Sequence, residues 1–227
     1  MKKVIVISLG GSLIIPNEID LSFLNKFKQV ILRNAKNYKF IIVCGGGSVA
    51  RKYISALRQA HKSDYLQSMV GISVTRLNAR FMTYFFGKDA AEGIPHDMKQ
   101  VKNLLTKNNI IFCGALRYHD KETSDSNAAR LADYFKTYFI NLTNVSGLYN
   151  KNPLTNNDAK FIPKISKQEL YKKVMKMKFK PGQHFVIDQH AMKILINSKS
   201  YLYILGEDTK QLDNLLSGKI FKGTVVS

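Results

Sequence analysis

The sequence has 227 residues, 45% of them apolar, and carries 35 Lys and Arg against 16 Asp and Glu, a formal net charge of +19. No apolar run approaches the roughly 18–20 residues needed to cross a bilayer. The two cysteines, Cys44 and Cys113, lie far apart, each at the end of an apolar run just before Gly, and do not make a metal or disulfide framework. A soluble cytoplasmic protein with reduced thiols is expected, large enough to bury one substantial core. The positive surplus suits anionic ligands. It is spread along the chain with no RNP-like, zinc-finger or arginine-rich motif, so nucleic acid is not expected as the partner and no membrane association is expected.

Met-Lys-Lys and the apolar run Val4 to Leu9 resemble the start of a signal peptide, but Gly10-Gly11-Ser12 follows without a cleavage site. The run therefore predicts a strand buried on both faces of a parallel sheet. Leu21, Leu24, Phe27, Val30 and Ile31 recur at helical spacing, with Asp20 or Ser22 as cap. A second strand, Phe40 to Val43, runs into Gly45-Gly46-Gly47, and Ser48 opens another helical pattern. A buried strand, glycines and a helix start together make an anion site. The backbone can approach a phosphate closely there, and the unpaired N–H groups of the first turn point at it. Arg51, one turn further, can add a bidentate contact.

Residues 48–86 predict two helices, the second with Gly71 near its start and an aromatic cluster, Phe81, Tyr84, Phe85 and Phe86, suited to core or a subunit interface. A helix over 97–108 feeds the strand Ile110 to Cys113, which ends at Gly114. Thr123 or Ser124 caps a helix whose first turn carries Asp125, a residue that either satisfies the helix dipole or serves a site. The strand Tyr138 to Leu142 follows. Lys160 to Lys180 holds eight lysines and one acid, Glu169, and Leu170, Val174 and Met177 give it an amphipathic helical spacing with a solvated lysine face. Asp188 starts a helix, Tyr201 to Leu205 is a strand, Leu212 to Leu216 a helix and Gly223 to Val226 a closing strand. This alternation predicts a three-layer αβα sandwich with a largely parallel central sheet. Ligands of such sheets bind at the carboxyl ends of the strands, where the glycine clusters, Asp125 and Thr143-Asn144 all fall.

The segments Gly-Gly-Ser at 10–12, Gly-Gly-Gly-Ser-x-Ala-Arg-Lys-Tyr-Ile at 45–54, Gly-Ile-x-x-Thr-Arg-Leu-Asn-Ala at 71–79, Thr-x-Asp-x-x-Ala-Ala at 123–129, Thr-Asn-Val-x-Gly-x-Tyr at 143–149 and Val-Ile-Asp-x-x-Ala-x-Lys-Ile at 186–194 span nearly the whole chain. In that order they resemble the amino-acid kinase superfamily, and within it the archaeal-type uridylate kinases. The resemblance implies one domain over 1–227, with an acceptor part to about 140 and an ATP part from about 141. It implies transfer of a phosphoryl group from Mg·ATP to UMP, a step of pyrimidine nucleotide biosynthesis, usually in a homohexamer. By position, Gly10, Gly11, Gly47 and Arg51 would hold the ATP phosphates, and Thr143, Tyr149 and Asn152 would line the adenosine pocket. Gly46, Ser68, Leu116, Arg117, Thr123 and Ser124 would contact UMP, under a loop from Leu116 to Ser124. Asp125 and Arg51 would be the catalytic pair. Mg²⁺ would arrive with ATP, with no dedicated protein ligand set.

The chain departs from the family pattern at several positions. Ser8 stands where many members carry Lys, and Ser68 replaces an Asp that grips the ribose. Ala115-Leu116 replaces a Gly-Thr pair, and Asn152 an Asp before Pro153. An acceptor other than UMP, a small phosphate or carboxylate, and a nucleotide-binding sensor are therefore the alternatives.

Overall fold

Along each central strand, alternate residues enter two separate apolar cores. Ile5, Ile7 and Leu9 face one side of the sheet and Val6 the other; Phe40, Ile42 and Cys44 face the first side, Ile41 and Val43 the second. The near-continuous apolar runs of the sequence are thus strands covered on both faces. A computed structural model describes residues 2–118, 123–176 and 186–227.

The elements run β1 (Lys3–Leu9), α1 (Gly11–Ile14), α2 (Leu21–Asn34), β2 (Tyr38–Cys44), α3 (Gly47–Gln59), α4 (Asp64–Phe86), α5 (Met98–Lys107), β3 (Ile110–Cys113), α6 (Ser124–Tyr134) and β4 (Tyr138–Leu142). They continue with β5 (Leu148–Tyr149), β6 (Phe161–Ile162), β7 (Lys164–Ile165), α7 (Lys167–Lys176), α8 (Gln189–Leu195), β8 (Leu202–Leu205), α9 (Thr209–Leu216) and β9 (Thr224–Val226). The seven-stranded sheet has the order β3-β2-β1-β4-β8-β9-β7. Its first five strands are parallel, β9 runs antiparallel to β8, and β7 parallel to β9. Helices α1, α2, α4 and α9 cover one face, and α5, α6, α7 and α8 the other. This is the expected three-layer, largely parallel sandwich.

The chain winds outward from β1 through β2 to β3, then returns to place β4 on the other edge of β1. A crevice opens where the winding reverses, at the carboxyl ends of β1 and β4. Asp20 caps α2 by accepting from the Phe23 N–H at 2.9 Å, and Thr123 caps α6 in a reciprocal box with Ser126.

Three pieces differ from expectation. The antiparallel pair β5–β6 and the strand β7 fall where the sequence predicts none. The lysine-rich helix begins only at Lys167, where Ser166 and Glu169 cap each other's backbone at 3.2 Å; its Leu170 and Val174 are buried, and Met177 lies outside the described residues. Cys44 and Cys113 are free and buried on opposite faces of the sheet. Burial pushes both thiols up, Cys113 to about 12. Among the described residues no helix is long and apolar enough to cross a membrane.

Candidate functional site

The glycine loops after β1 and β2 pack backbone against backbone. A Cβ on Gly11 would lie 2.1 Å from the Gly47 nitrogen, and one on Gly47, whose φ is +62°, would lie 2.5 Å from the Gly11 oxygen. No side chain fits at either position. The loops are tied to the sheet by Gly10 N–H donating to Leu142 O at 3.0 Å and Gly45 N–H to Leu9 O at 2.9 Å. From α4 the buried Asn78 amide donates to Gly45 O at 2.7 Å. The starts of α1 and α3 therefore stand side by side, both opening into the crevice, which is the arrangement that draws phosphate oxygens.

That crevice is a cleft of about 380 Å³. Gly10, Gly11, Gly46, Gly47 and Arg51 line one side, Ser68 and Thr75 of α4 another, and Thr123, Ser124, Asp125 and Thr143 close it. A second cavity, about 640 Å³, is lined by Thr143, Tyr149 and Asn152 together with apolar Leu148, Pro153 and Val186. Thr143 and Asn144 belong to both walls, so the two cavities meet at the end of β4. Asn152 also organises its own turn, accepting from Leu154 N–H at 3.0 Å.

Two expected acceptor residues lie elsewhere. Leu116 is buried and, with Arg117, lines a separate cavity of about 330 Å³ beside the start of α5. Arg117 there pairs with Asp97 at 3.3 Å. Of the expected closing loop, residues 119–122 lie outside the described residues.

Asp125 sits half-buried at the cleft's inner end. Ser8, wholly buried at the end of β1, donates its hydroxyl to Asp125 Oδ1 at 2.7 Å. Burial, and then the neighbouring Asp188 carboxylate, push the Asp125 carboxyl up to about 7, against the pull of hydrogen bonds from Ser8 and Asn141. Ser8 and Asn141 are paired across β1 and β4, so one rung of the sheet presents both donors. Asp188 caps α8 through His190 N–H at 2.7 Å and Ala191 N–H at 2.9 Å. It also accepts hydroxyl bonds from Thr123 and Ser126, tying α8 to the start of α6.

Asp188 was legible in the sequence only as a helix start, although it is the acid of the matched segment 186–194. Lys173 and Lys176 are exposed, as the solvated lysine face predicts, and both also line the larger cavity, with Lys151. On the opposite wall, α4 fixes the turn after β3. Ala115 N–H donates to Thr75 Oγ1 at 3.0 Å, and Arg76 donates to the carbonyls of Ala115 and Leu116. Among the described residues no cluster of three or more His, Cys, Asp or Glu could hold a metal by itself.

Comparison with known proteins meets this geometry. The profile of the amino acid kinase family matches residues 3–206. The uridylate kinase of Thermococcus kodakarensis is 30% identical over 224 residues, covering 98% of both chains. That of Archaeoglobus fulgidus is 31% identical over 224 residues, covering 98% of this chain and 99% of its own. The crystal structure of the Archaeoglobus fulgidus uridylate kinase superposes over 100% of both chains with a TM-score of 0.84 at 30% identity. UMP kinase from Ureaplasma parvum, 21% identical, shares the fold with a TM-score of 0.82 over 100% of this chain and 99% of its own.

Proposed function

This chain belongs to the amino acid kinase family, and we propose that it transfers the γ-phosphoryl group of ATP to a phosphate oxygen of UMP, giving ADP and UDP. The observation that carries this reading is the shared wall at Thr143-Asn144. A cavity lined by Tyr149 and apolar side chains, suited to a purine nucleotide, opens there beside a cleft walled by two phosphate-type glycine loops. A donor in the first and an acceptor in the second would bring their phosphates together at the starts of α1 and α3.

Phosphoryl transfer asks for alignment and charge neutralisation and needs no covalent nucleophile. The N–H groups of the glycine loops and Arg51 supply positive potential on one side of the transferred group. Asp125, oriented by Ser8, lines the same cleft. Its carboxylate lies beside Asp188 and takes hydrogen bonds from the neutral groups of Ser8 and Asn141, an oxygen-donor setting that suits a hard divalent cation. A Mg²⁺ ion entering with the ATP phosphates would be held at Asp125 and would supply neutralisation of the phosphoryl charge. The residues to about 140 would serve the acceptor, and those from about 141 the donor.

We further propose a homo-oligomer, a hexamer by family resemblance. Leu66, Leu77 and Tyr84 are 46%, 62% and 68% exposed along one stripe of α4, the face a second copy would cover. The buried free thiols fit a reducing cytoplasm.

The test of the reaction is direct. Purified protein, Mg·ATP and UMP are incubated and the nucleotides separated. UDP and ADP forming in equal amounts support transfer; ADP appearing with phosphate and no UDP contradicts it.

A further inference from the structure

The turn leaving β3 is gripped at each backbone polar group of Ala115 and Leu116. Ala115 N–H donates to Thr75 Oγ1 at 3.0 Å, and Leu116 N–H to Asn127 Oδ1 at 3.1 Å. Arg76 takes both carbonyls with one guanidinium, Nε donating to Ala115 O at 3.0 Å and Nη2 to Leu116 O. Gly114 is pressed so closely on α4 that a Cβ there would lie 2.6 Å from the Arg76 nitrogen. Ala115, only 6% exposed, is nonetheless part of the cleft wall.

Two consequences follow from this bonding. The N–H groups of Ala115 and Leu116 are both engaged inside the protein, so an acceptor against this turn meets neither of those donors. The direction of the turn is also set by a planar fork spanning two successive carbonyls, which an ammonium group cannot reproduce. The larger cavity, by contrast, is lined wholly by residues 143–186, none of which Arg76 holds through these bonds.

We infer that Arg76 is the positioning residue of the acceptor wall: it touches no substrate, but by holding Ala115 and Leu116 it sets how the acceptor fits while leaving the donor cavity unaffected. This rests on the proposed transfer to UMP and adds to it the residue that fixes the acceptor side.

The test compares wild type, Arg76→Ala and Arg76→Lys in three measurements: KM for UMP, KM for ATP, and amide hydrogen exchange at Ala115 and Leu116. Arg76→Ala is expected to raise KM for UMP about tenfold or more, as loss of a charge-assisted hydrogen bond does. KM for ATP should stay within about twofold on the same scale. Exchange at Ala115 and Leu116 should quicken, and Arg76→Lys should fall between wild type and Arg76→Ala. Should Arg76→Ala fail to fold, Arg76→Lys carries the same comparison. An unchanged KM for UMP, or an equal rise in both KM values, overturns the assignment. A wild-type protein inert toward UMP refutes the proposed reaction instead, and the exchange rates at Ala115 and Leu116 then still decide whether Arg76 holds the turn.

Discussion

Ser8 Oγ donates to Asp125 Oδ1 at 2.7 Å, joining the end of the first strand to a helix start 117 residues later. The end of β1 thus holds a small hydroxyl that faces away from solvent and orients the acid. Removing the acid's charge with Asp125→Asn should lower kcat about 10²–10³-fold, the scale of losing a preorganised electrostatic group. Ser8→Ala, which leaves the carboxylate but frees its orientation, should cost about tenfold, the weight of one hydrogen bond to a charged group. Steady-state rates with saturating ATP and UMP check both, and equal losses for the two variants would contradict this division of roles.

The upward shift of Asp125 has a sign that stability measurements can read. The folded protein holds this proton more tightly than the unfolded chain, whose carboxyl titrates near 3.8. The contribution is therefore fully present below about pH 4 and is lost as pH rises through about 7. Urea unfolding of the free protein should show stability falling across that window, and Asp125→Asn should flatten the fall. A wild-type profile that does not fall through the window, or that falls equally in both proteins, would contradict it.

The backbone contact between Gly11 and Gly47 leaves no room for a methyl group. Gly11→Ala and Gly47→Ala should each destabilise the fold by about 1–3 kcal/mol, the usual cost of overpacking. In a chain of this size each kcal/mol lowers the melting temperature by about 2–4 °C. Gly218 offers the control. It too has a positive φ, +69°, but a Cβ there meets nothing within 4 Å, so Gly218→Ala should carry the backbone strain without the collision. Differential scanning calorimetry separates the two costs.

Tyr149 lines the larger cavity and packs edge-on against Phe161 at 5.4 Å between ring centroids. Loss of an aromatic platform for a base typically costs about 1–3 kcal/mol. Tyr149→Ala should therefore raise KM for ATP about tenfold and leave KM for UMP within about twofold. A rise confined to UMP would reverse the assignment of the two cavities.

The strands β1 to β4 were legible because each is an apolar run sealed on both faces, and the glycine loops because only glycine tolerates such backbone contact. Strands of two residues, β5 to β7, have no period to read. They exist through tertiary bonds such as Leu148 N–H to Thr224 Oγ1 at 2.8 Å. The approach of Asp188 to Asp125 depends on α8 packing against α6, which local sequence does not encode. The same holds for Leu116 and Arg117: Arg76, from a helix some 40 residues earlier, holds the turn that carries both into a separate cavity beside Asp97.

The most direct measurement is the rate of ADP release from Mg·ATP with UMP, CMP, dTMP, AMP, isopentenyl phosphate, aspartate and acetylglutamate as acceptors, for wild type and for Asp125→Asn. A kcat/KM for UMP far above the others, lost in Asp125→Asn, is the predicted result. A different preferred acceptor, or none while ATP still binds, would contradict the assignment of UMP.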